Sequence, residues 1–176
     1  MSETEGAPAI GESIEAGPAA RRLRLPVGLI GTLLAGLGGF VAIGAVALLG
    51  EVASTTLIIA PFGASCVLLF ALPANPLARP RNVIGGHVLS ALVGLAALFL
   101  IGPTPLAMAA GVGGAIIAMR LTGTLHPPAG ANPIVVILAA APWWFFLVPV
   151  AAGAAVLVLS AALYHRFVSG ETYSLR

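Results

Sequence analysis

The stretch HPPAGANP, residues His126 to Pro133, is polar and broken by prolines, yet it lies in hydrophobic sequence where a membrane helix is expected. A bilayer core offers no water to satisfy unpaired backbone groups. Irregular backbone therefore survives at that depth only when it is packed inside protein or lines a wet cavity. This makes the stretch a candidate site, and the rest of the chain is expected to be the helical scaffold around it.

The composition of the whole chain is that of a membrane protein. Of 176 residues, 59% are hydrophobic and 8% are charged, against about 25% charged in soluble domains. The net charge is +2, but the arginines stand singly or in small groups beside apolar spans, which indicates membrane orientation and no nucleic-acid partner. The single cysteine, Cys66, excludes an internal disulfide. We expect an all-α polytopic membrane protein.

Six apolar segments follow a polar N-terminal tail. Residues 1–24 lack the large apolar side chains needed to bury surface and are predicted to be a disordered cytoplasmic tail. The membrane domain is assigned to residues 25–168 and a short C-terminal tail to residues 169–176. The first segment is too long for the core of a signal peptide and is interpreted as an uncleaved helix. The predicted segments are residues 26–49, 52–72, 83–101, 106–121, 126–141 and 145–167.

The charges between the segments favour six crossings. With a cytoplasmic N-terminus, six crossings place every loop arginine in the cytoplasm and Glu51 outside, as the positive-inside rule requires. Four crossings, with the broken stretches as surface loops, would scatter the arginines over both faces. We expect a multi-pass protein of the cell (inner) membrane with both termini cytoplasmic. The arginines in question are Arg21, Arg22, Arg24, Arg79, Arg81, Arg120 and Arg166.

A weak internal repeat links two of the segments. PFGAS, Pro61 to Ser65, and PAGAN, Pro128 to Asn132, both read Pro, any residue, Gly, Ala and a small polar residue. Each interrupts the middle segment of a group of three, and the chain divides near Gly102. Groups with an odd number of crossings insert with opposite orientation. We therefore predict two inverted three-segment repeats whose middle segments are interrupted or re-entrant, a pattern that places transporter substrates near the bilayer midplane.

Both breaks are predicted to be helix starts, because proline is tolerated in a first turn, where its missing N–H has no partner. A helix that begins at Pro61 and runs about 12 residues covers a little over half of a bilayer core of about 30 Å. In the second break the helix begins either at Pro127/Pro128 or at Pro133 with Asn132 as N-cap, and both starts stay open. Two helix N-termini from opposite faces would then converge, and their free N–H groups and dipoles favour an anion.

An anion site between the two breaks requires that His126 and Gly130 face Gly63 and Ser65. His126 has the chemistry to donate to an anion, to carry an accompanying proton or to ligate a metal. No carboxylate lies near it in sequence and the local spacing of a metal site is missing, so we predict no metal and no cofactor. The candidate substrate-binding residues are Pro61, Gly63, Ala64, Ser65, His126, Pro127, Pro128, Ala129, Gly130, Ala131 and Asn132.

Further polar residues are candidates for the pathway or its inner mouth. Guanidinium groups suit oxyanions, so Arg79 and Arg81 either bind an arriving anion or only set topology. Asn82 lies beside them, and His87 either approaches His126 or stays at the cytoplasmic interface.

An enzyme is the alternative from a different class. Ser65 in GAS resembles the nucleophile of rhomboid intramembrane proteases, with a histidine downstream as base. However, Cys66 replaces the second glycine of the GxSG pattern, and no HxxxN motif is visible. We therefore expect no enzymatic activity, and retain an intramembrane serine hydrolase and a non-transporting structural subunit as alternatives.

Two motifs together resemble the HPP family of integral membrane proteins, named for the tripeptide seen at His126 to Pro128. They are GTLHPPAGANP around the tripeptide and APFGASCVLLFALPANPLARPRNVIGGH from Ala60 to His87, and the resemblance covers residues 25–167. The family is commonly described as having four spans. Its plastid and cyanobacterial relatives are associated with nitrite transport, which implies a transporter or channel for a small inorganic anion, nitrite first. A chain this small encloses little by itself, so we also expect a homo-oligomer in the bilayer.

Overall fold

The chain is helical throughout the part that the structure, a computed structural model, describes, residues 28–174, and no β-strand is found there. The predictions for residues 1–24, including the three N-terminal arginines, lie outside those residues. Four of the helices are long and apolar enough to cross a membrane. The molecule is therefore an all-helical, multi-pass membrane protein. Its helices are α1 (Leu29–Val52), α2 (Pro61–Ala71), α3 (Pro80–Ile101), α4 (Pro105–Thr122), α5 (Pro127–Leu138) and α6 (Trp143–Ser169), of which α2 and α5 are the short ones.

The two short helices begin at the two predicted breaks. α2 is α-helical over Pro61–Cys66 and π-helical over Val67–Ala71, while α5 begins with a 3-10 turn over Pro127–Ala131 and continues as an α-helix over Asn132–Leu138. At 1.5 Å per residue, each covers roughly 16–18 Å, about half of a bilayer core of about 30 Å. The predicted second segment is thus helical only in its second part. Four long helices are the number of spans that the resemblance to the HPP family implies.

The start of α5 is decided in favour of Pro127. Asn132 is itself helical, with φ −57° and ψ −41°, so the alternative in which it caps a helix from Pro133 is wrong. An N-cap residue keeps an extended backbone so that its side chain can reach the following N–H groups, and Asn132 does not. Its side chain is directed instead to His87 of α3.

One end of the bundle gathers the arginines. Nη2 of Arg81 donates to the carbonyl of Thr122 at 2.7 Å, which places the start of α3 beside the end of α4. The hydroxyl of Tyr173 donates to the carbonyl of Ala78 at 3.0 Å, so the C-terminal segment reaches the same end. Burial raises the pKa of the Tyr173 phenol, which keeps this donor protonated. We call this the arginine end; the arginines near it are Arg79, Arg81, Arg120 and Arg166.

The opposite end carries the two tryptophans. Trp143 lines a cavity with Leu95 and Phe99 from the second half of α3, and Trp144 lines another with Glu51 from the last turn of α1. We call this the tryptophan end. The chain passes from the tryptophan end to the arginine end through α2, and returns through α5. Each short helix, with the irregular residues before it, therefore connects the two ends.

Close backbone contacts fix α5 against its neighbours. A Cβ atom on Gly94 would lie 2.7 Å from Cα of Pro133, and one on Gly111 would lie 2.8 Å from its Cβ. Real Cβ contacts are longer than this, so α3 and α4 approach Pro133 only because both positions are glycine. Gly153 of α6 is packed as closely against the ring of Phe62 in α2. Both broken helices are thus held by glycines in the long helices.

Candidate functional site

Three polar side chains from separate segments meet inside the bundle. The Ser65 hydroxyl oxygen lies 2.8 Å from Nε2 of His87 and 2.9 Å from Nε2 of His126. Ser65 belongs to α2, His87 to α3, and His126 immediately precedes α5. Asn132 of α5 completes the group through its contacts with His87, and all four residues are 0% exposed. We call these four residues the Ser65 cluster.

The cluster joins the two predicted breaks. The hydrogen bond between Ser65 and His126 confirms that these two residues of PFGAS and HPPAGANP face each other. The expected pairing of Gly63 with Gly130 is not seen, because Gly63 is exposed and no atom packs against the Cβ position of either glycine. His87, for which the sequence left two places open, approaches His126, and their ring centroids are 5.1 Å apart. It is the eighth residue of α3, about 10 Å from the arginine end of a helix roughly 33 Å long. The cluster therefore lies about a third of the way along α3.

The position of His126 is fixed by three neighbours. Its Nδ1 donates to the carbonyl of Leu77 at 2.8 Å. One residue earlier, the carbonyl of Leu125 accepts a bond of 2.9 Å from Nδ2 of Asn82. A Cβ on Gly86 would lie 2.8 Å from Cβ of His126, so this glycine admits the segment against α3. The histidine ring and the backbone just before it are therefore both held by hydrogen bonds.

The hydrogen positions on His126 follow from its partners. The Leu77 carbonyl can only accept, so Nδ1 of His126 carries a hydrogen. In a neutral imidazole Nε2 then has a free lone pair. It accepts the hydroxyl hydrogen of Ser65 across the distance of 2.9 Å.

The hydrogen positions on His87 follow from its contacts with Asn132 and Ser65. Nδ2 of Asn132 donates to the carbonyl of His87 at 2.8 Å and lies 3.1 Å from Nδ1 of the same residue. An amide nitrogen has two hydrogens, one for each of these acceptors. The amide oxygen of Asn132 also lies 3.3 Å from Nδ1, so the contact with Ser65 decides which tautomer His87 takes. Ser65 gives its one hydroxyl hydrogen to His126, so Nε2 of His87 carries a hydrogen and donates it to Ser65 at 2.8 Å. Nδ1 of a neutral His87 then accepts from the Asn132 amide nitrogen.

The result is an uncharged chain of hydrogen bonds. It runs from Asn132 to His87, from His87 to Ser65, from Ser65 to His126, and from His126 to the Leu77 carbonyl. Across the described residues every buried side-chain nitrogen and oxygen has a hydrogen-bond partner. A polar group left unpaired in such surroundings costs about 1–3 kcal/mol, which explains why the cluster is fully connected.

Part of the predicted binding set points away from the cluster. Successive helical residues turn by about 100°, so neighbours in sequence face different sides. Of the predicted set, only Ser65, His126 and Asn132 belong to the cluster. Pro61 and Ala129 are buried nearby, and Pro128 and Gly130 are half-buried. The residues that are exposed instead are Gly63, Ala64, Pro127 and Ala131.

The expectation of free N–H groups at the helix starts needs correction. Ala60 is already helical, with φ −52° and ψ −39°, so the turn begins before Pro61. As a result, the N–H of Phe62 donates to Ile59 and that of Gly63 donates to Ala60. In α5 the N–H of Ala129 likewise donates to the His126 carbonyl at 3.0 Å. The side chains of the cluster, and not these N–H groups, are therefore the available donors.

Two of the predicted inner-mouth residues, Arg81 and Asn82, bond to the segment that leads to His126. Arg79 and Arg81 are exposed at the arginine end, and Asn82 is half-buried. Arg81 and Asn82 donate to the carbonyls of Thr122 and Leu125, respectively. Among residues 28–174, no group of three or more His, Cys, Asp or Glu side chains is arranged to hold a metal ion.

Two polar contacts at the site were not predicted from the sequence. The hydroxyl of Ser90 donates to the carbonyl of Ala129 at 2.6 Å and ties α3 to the first turn of α5. Ser90 follows His87 by three residues, a spacing that puts both on one face of a helix, and this was the signal available. The acceptor carbonyl of Leu77 gave no signal, because every residue has one.

Comparisons with known proteins identify the membrane domain. The family description "HPP, transmembrane region" matches residues 26–174. Two transmembrane proteins of Dictyostelium discoideum are each 40% identical to the chain, in alignments of 85 and 87 residues that cover 46% and 47% of it. The matched regions are 27% and 30% of those proteins, so the chain corresponds to less than a third of each. No solved structure matches.

Proposed function

The chain belongs to the HPP transmembrane family, and from this membership and the Ser65 cluster we propose that it is a membrane transporter for a small inorganic anion, with nitrite as the first candidate. The observation that carries the proposal is the bridge from the Ser65 hydroxyl to two buried histidines, where two half-length helices meet between long ones. Polar side chains inside a membrane bundle are costly and are usually functional. Ion sites in transporters are commonly built at such interrupted helices.

The chemistry of the cluster suits a small acceptor with a single negative charge. Its donors are the hydroxyl of Ser65, the Nε2–H of His87 and the amide of Asn132, and none carries a full charge. Nitrite offers two oxygen acceptors, is small, and would replace internal hydrogen bonds with its own. The exposed Arg79 and Arg81 supply positive charge at the arginine end, where an anion would arrive.

A carrier mechanism fits the closed state of the cluster better than an open pore. All four side chains are 0% exposed, so an anion reaches them only after helices separate. We infer that α2 and α5 move against the long helices as the site opens to each side in turn.

The topology that accompanies this function is also a proposal. Helices α1 to α3 and helices α4 to α6 each follow the order long, short, long, and the second group starts from the opposite end of the bundle. This arrangement supports two inverted repeats of three crossings. The clustering of Arg79, Arg81 and Arg120 supports a cytoplasmic arginine end in the cell (inner) membrane, with both termini inside. A cavity of about 470 Å³ between α1 and α2, lined by Gly36, Gly63 and other small residues, supports close association of copies into a homo-oligomer.

Anion uptake by the purified protein in liposomes tests the function. We expect nitrite to enter faster than in protein-free vesicles, and faster than chloride in a panel that also contains nitrate and formate. Nitrite should be faster than chloride because chloride has no pair of oxygen acceptors for the donors of the cluster. Absence of uptake for all four anions would refute the proposal.

One observation favours an intramembrane serine hydrolase as the second candidate. Ser65 lies within hydrogen-bond distance of a histidine that is in turn oriented by another group, as in nucleophile and base pairs. The orienting group is a carbonyl, however, and the N–H groups of Phe62 and Gly63 are already bonded and cannot form an oxyanion hole. We propose that the chain is not an enzyme. Labelling of Ser65 by a fluorophosphonate probe, without anion uptake, would favour the hydrolase.

A further inference from the structure

The Ser65 hydroxyl has a second acceptor within reach. Its oxygen lies 3.2 Å from the carbonyl of Pro61, one helical turn earlier, in addition to its contacts with the two histidines. Hydroxyls of serine often bond to the carbonyl four residues before them in a helix. The hydrogen of Ser65 can therefore be directed to His126 or to Pro61 without movement of any heavy atom.

This second acceptor allows the cluster to take up one proton. When the hydroxyl hydrogen turns to Pro61, the lone pair on Nε2 of His126 becomes free. A proton bound there converts His126 into an imidazolium whose Nε2–H donates to the Ser65 oxygen at 2.9 Å. Nδ1 continues to donate to Leu77. Every hydrogen is bonded in both states, and the only internal change is the rotation of one hydroxyl.

A second proton is not accommodated in the same way. It would have to bind Nδ1 of His87, which accepts from the amide of Asn132. The hydrogen added there would face Nδ2 of Asn132 at 3.1 Å, which is itself a donor, and would have only the amide oxygen at 3.3 Å as an acceptor. Two imidazolium rings with centroids 5.1 Å apart would also repel each other. The cluster thus holds either no extra proton or one.

The surroundings leave the charge on His126 without a counter-ion. The uncharged groups that face it are Ser65, His87 and Leu77. The apolar side chain of Met119 from α4 lies beside Gly86, which packs against His126. Within residues 28–174 the carboxylates are Glu51, at the tryptophan end, and Glu171, in the C-terminal segment. Two further titratable or charged groups lie on the neighbouring segments. The thiol of Cys66, the residue after Ser65, is buried, and the Arg81 guanidinium is bonded to Thr122.

A buried cation without a partner is costly, and so is a buried anion, whereas the pair is far less so. We propose that the Ser65 cluster binds one proton together with one monovalent anion, so that the protein is an electroneutral 1:1 anion and proton symporter. This inference rests on the proposed function. The proton enters on Nε2 of His126 and leaves from it, the anion provides the opposite charge, and the neutral cluster is restored after both are released.

Simultaneous measurement of nitrite and proton entry tests the stoichiometry. Liposomes with the full-length protein and a trapped pH indicator are given sodium nitrite at neutral external pH, where little nitrous acid is present to cross the bilayer unaided. Rates in protein-free vesicles are subtracted. We expect one proton to enter with each nitrite, and we expect a potassium diffusion potential set with valinomycin to leave the initial rate unchanged within about twofold.

The possible failures are distinguishable. Nitrite uptake that follows the imposed potential and brings no protons would overturn proton coupling and leave the proposed anion transport intact. No uptake under any gradient would overturn both. The variant His126→Gln cannot take up a proton, so it should show no proton entry and a nitrite rate at least about tenfold lower. The control His165→Gln should retain one proton per nitrite. Proton entry at the wild-type ratio in His126→Gln would also refute the inference.

Discussion

Replacement of His126 by alanine is expected to reduce nitrite uptake per folded protein by about tenfold to a hundredfold. The substitution removes the acceptor of the Ser65 hydroxyl and the donor to Leu77, which lie 2.9 and 2.8 Å from the ring. In the proposed mechanism these bonds hold a charged imidazolium beside the anion. A hydrogen bond to a charged group contributes about 1.5–3 kcal/mol, and each 1.4 kcal/mol corresponds to about tenfold in an equilibrium constant. The initial rate of uptake into liposomes, normalised to monodisperse protein, measures the effect.

His165→Ala is the matched control for this experiment. His165 is 2% exposed, its Nε2 donates to the carbonyl of Leu69 at 2.8 Å, and it is not part of the Ser65 cluster. Both substitutions therefore remove a buried histidine bonded to a backbone carbonyl. We expect uptake by His165→Ala to stay within about threefold of wild type after normalisation for folded protein, since about 0.6 kcal/mol corresponds to that factor. Equal losses in the two variants would show that the reduction reflects packing and not a site.

Replacement of Asn132 by leucine is expected to lower the stability of the folded protein by about 2–4 kcal/mol. Leucine has a similar shape but leaves Nδ1 of His87 without a donor, and an unpaired buried acceptor costs about 1–3 kcal/mol. It also removes the hydrogen bond to the His87 carbonyl. The other tautomer of His87 does not help, because an Nδ1–H would then lack an acceptor. The midpoint of thermal unfolding in a fixed lipid mixture should fall by roughly 4–16 °C.

The same substitution at Asn75 provides the comparison. Asn75 is half-buried, and its Oδ1 accepts from the N–H of Leu77 at 2.9 Å. Water can replace this bond, so Asn75→Leu should cost only about 0.5–1 kcal/mol. If the two variants unfold at the same temperature, the hydrogen bonds of Asn132 make no special contribution to stability.

The two breaks were predictable because they conflict with their surroundings. Prolines and polar residues in an apolar segment indicate a local interruption, and the likeness of PFGAS to PAGAN puts Ser65 and Asn132 in equivalent positions of the two segments. The number of long helices was harder to predict. The predicted second segment begins at residue 52, yet its helix begins only at Pro61.

The composition of the cluster was less predictable, because it depends on contacts between distant segments. Whether His87 reaches Ser65 is decided by how α3 is rotated against α2, and the two residues are 22 positions apart. The free N–H groups expected at the helix starts are absent at Phe62 and Gly63 because Ala60 takes a helical conformation. No sequence pattern marks that choice of backbone angles.

The protonation of the histidine rings in the presence of nitrite tests the central claim most directly. The chain contains three histidines, so ¹⁵N spectra of histidine-labelled protein in liposomes can be assigned with single variants. Without nitrite, His126 should carry its hydrogen on Nδ1 and His87 on Nε2. Addition of sodium nitrite at mildly acidic pH should shift the signals of both rings, with Nε2 of His126 becoming protonated, while His165 stays unchanged. Spectra of His87 and His126 that are identical with and without nitrite, in liposomes that take nitrite up, would show that the anion binds elsewhere.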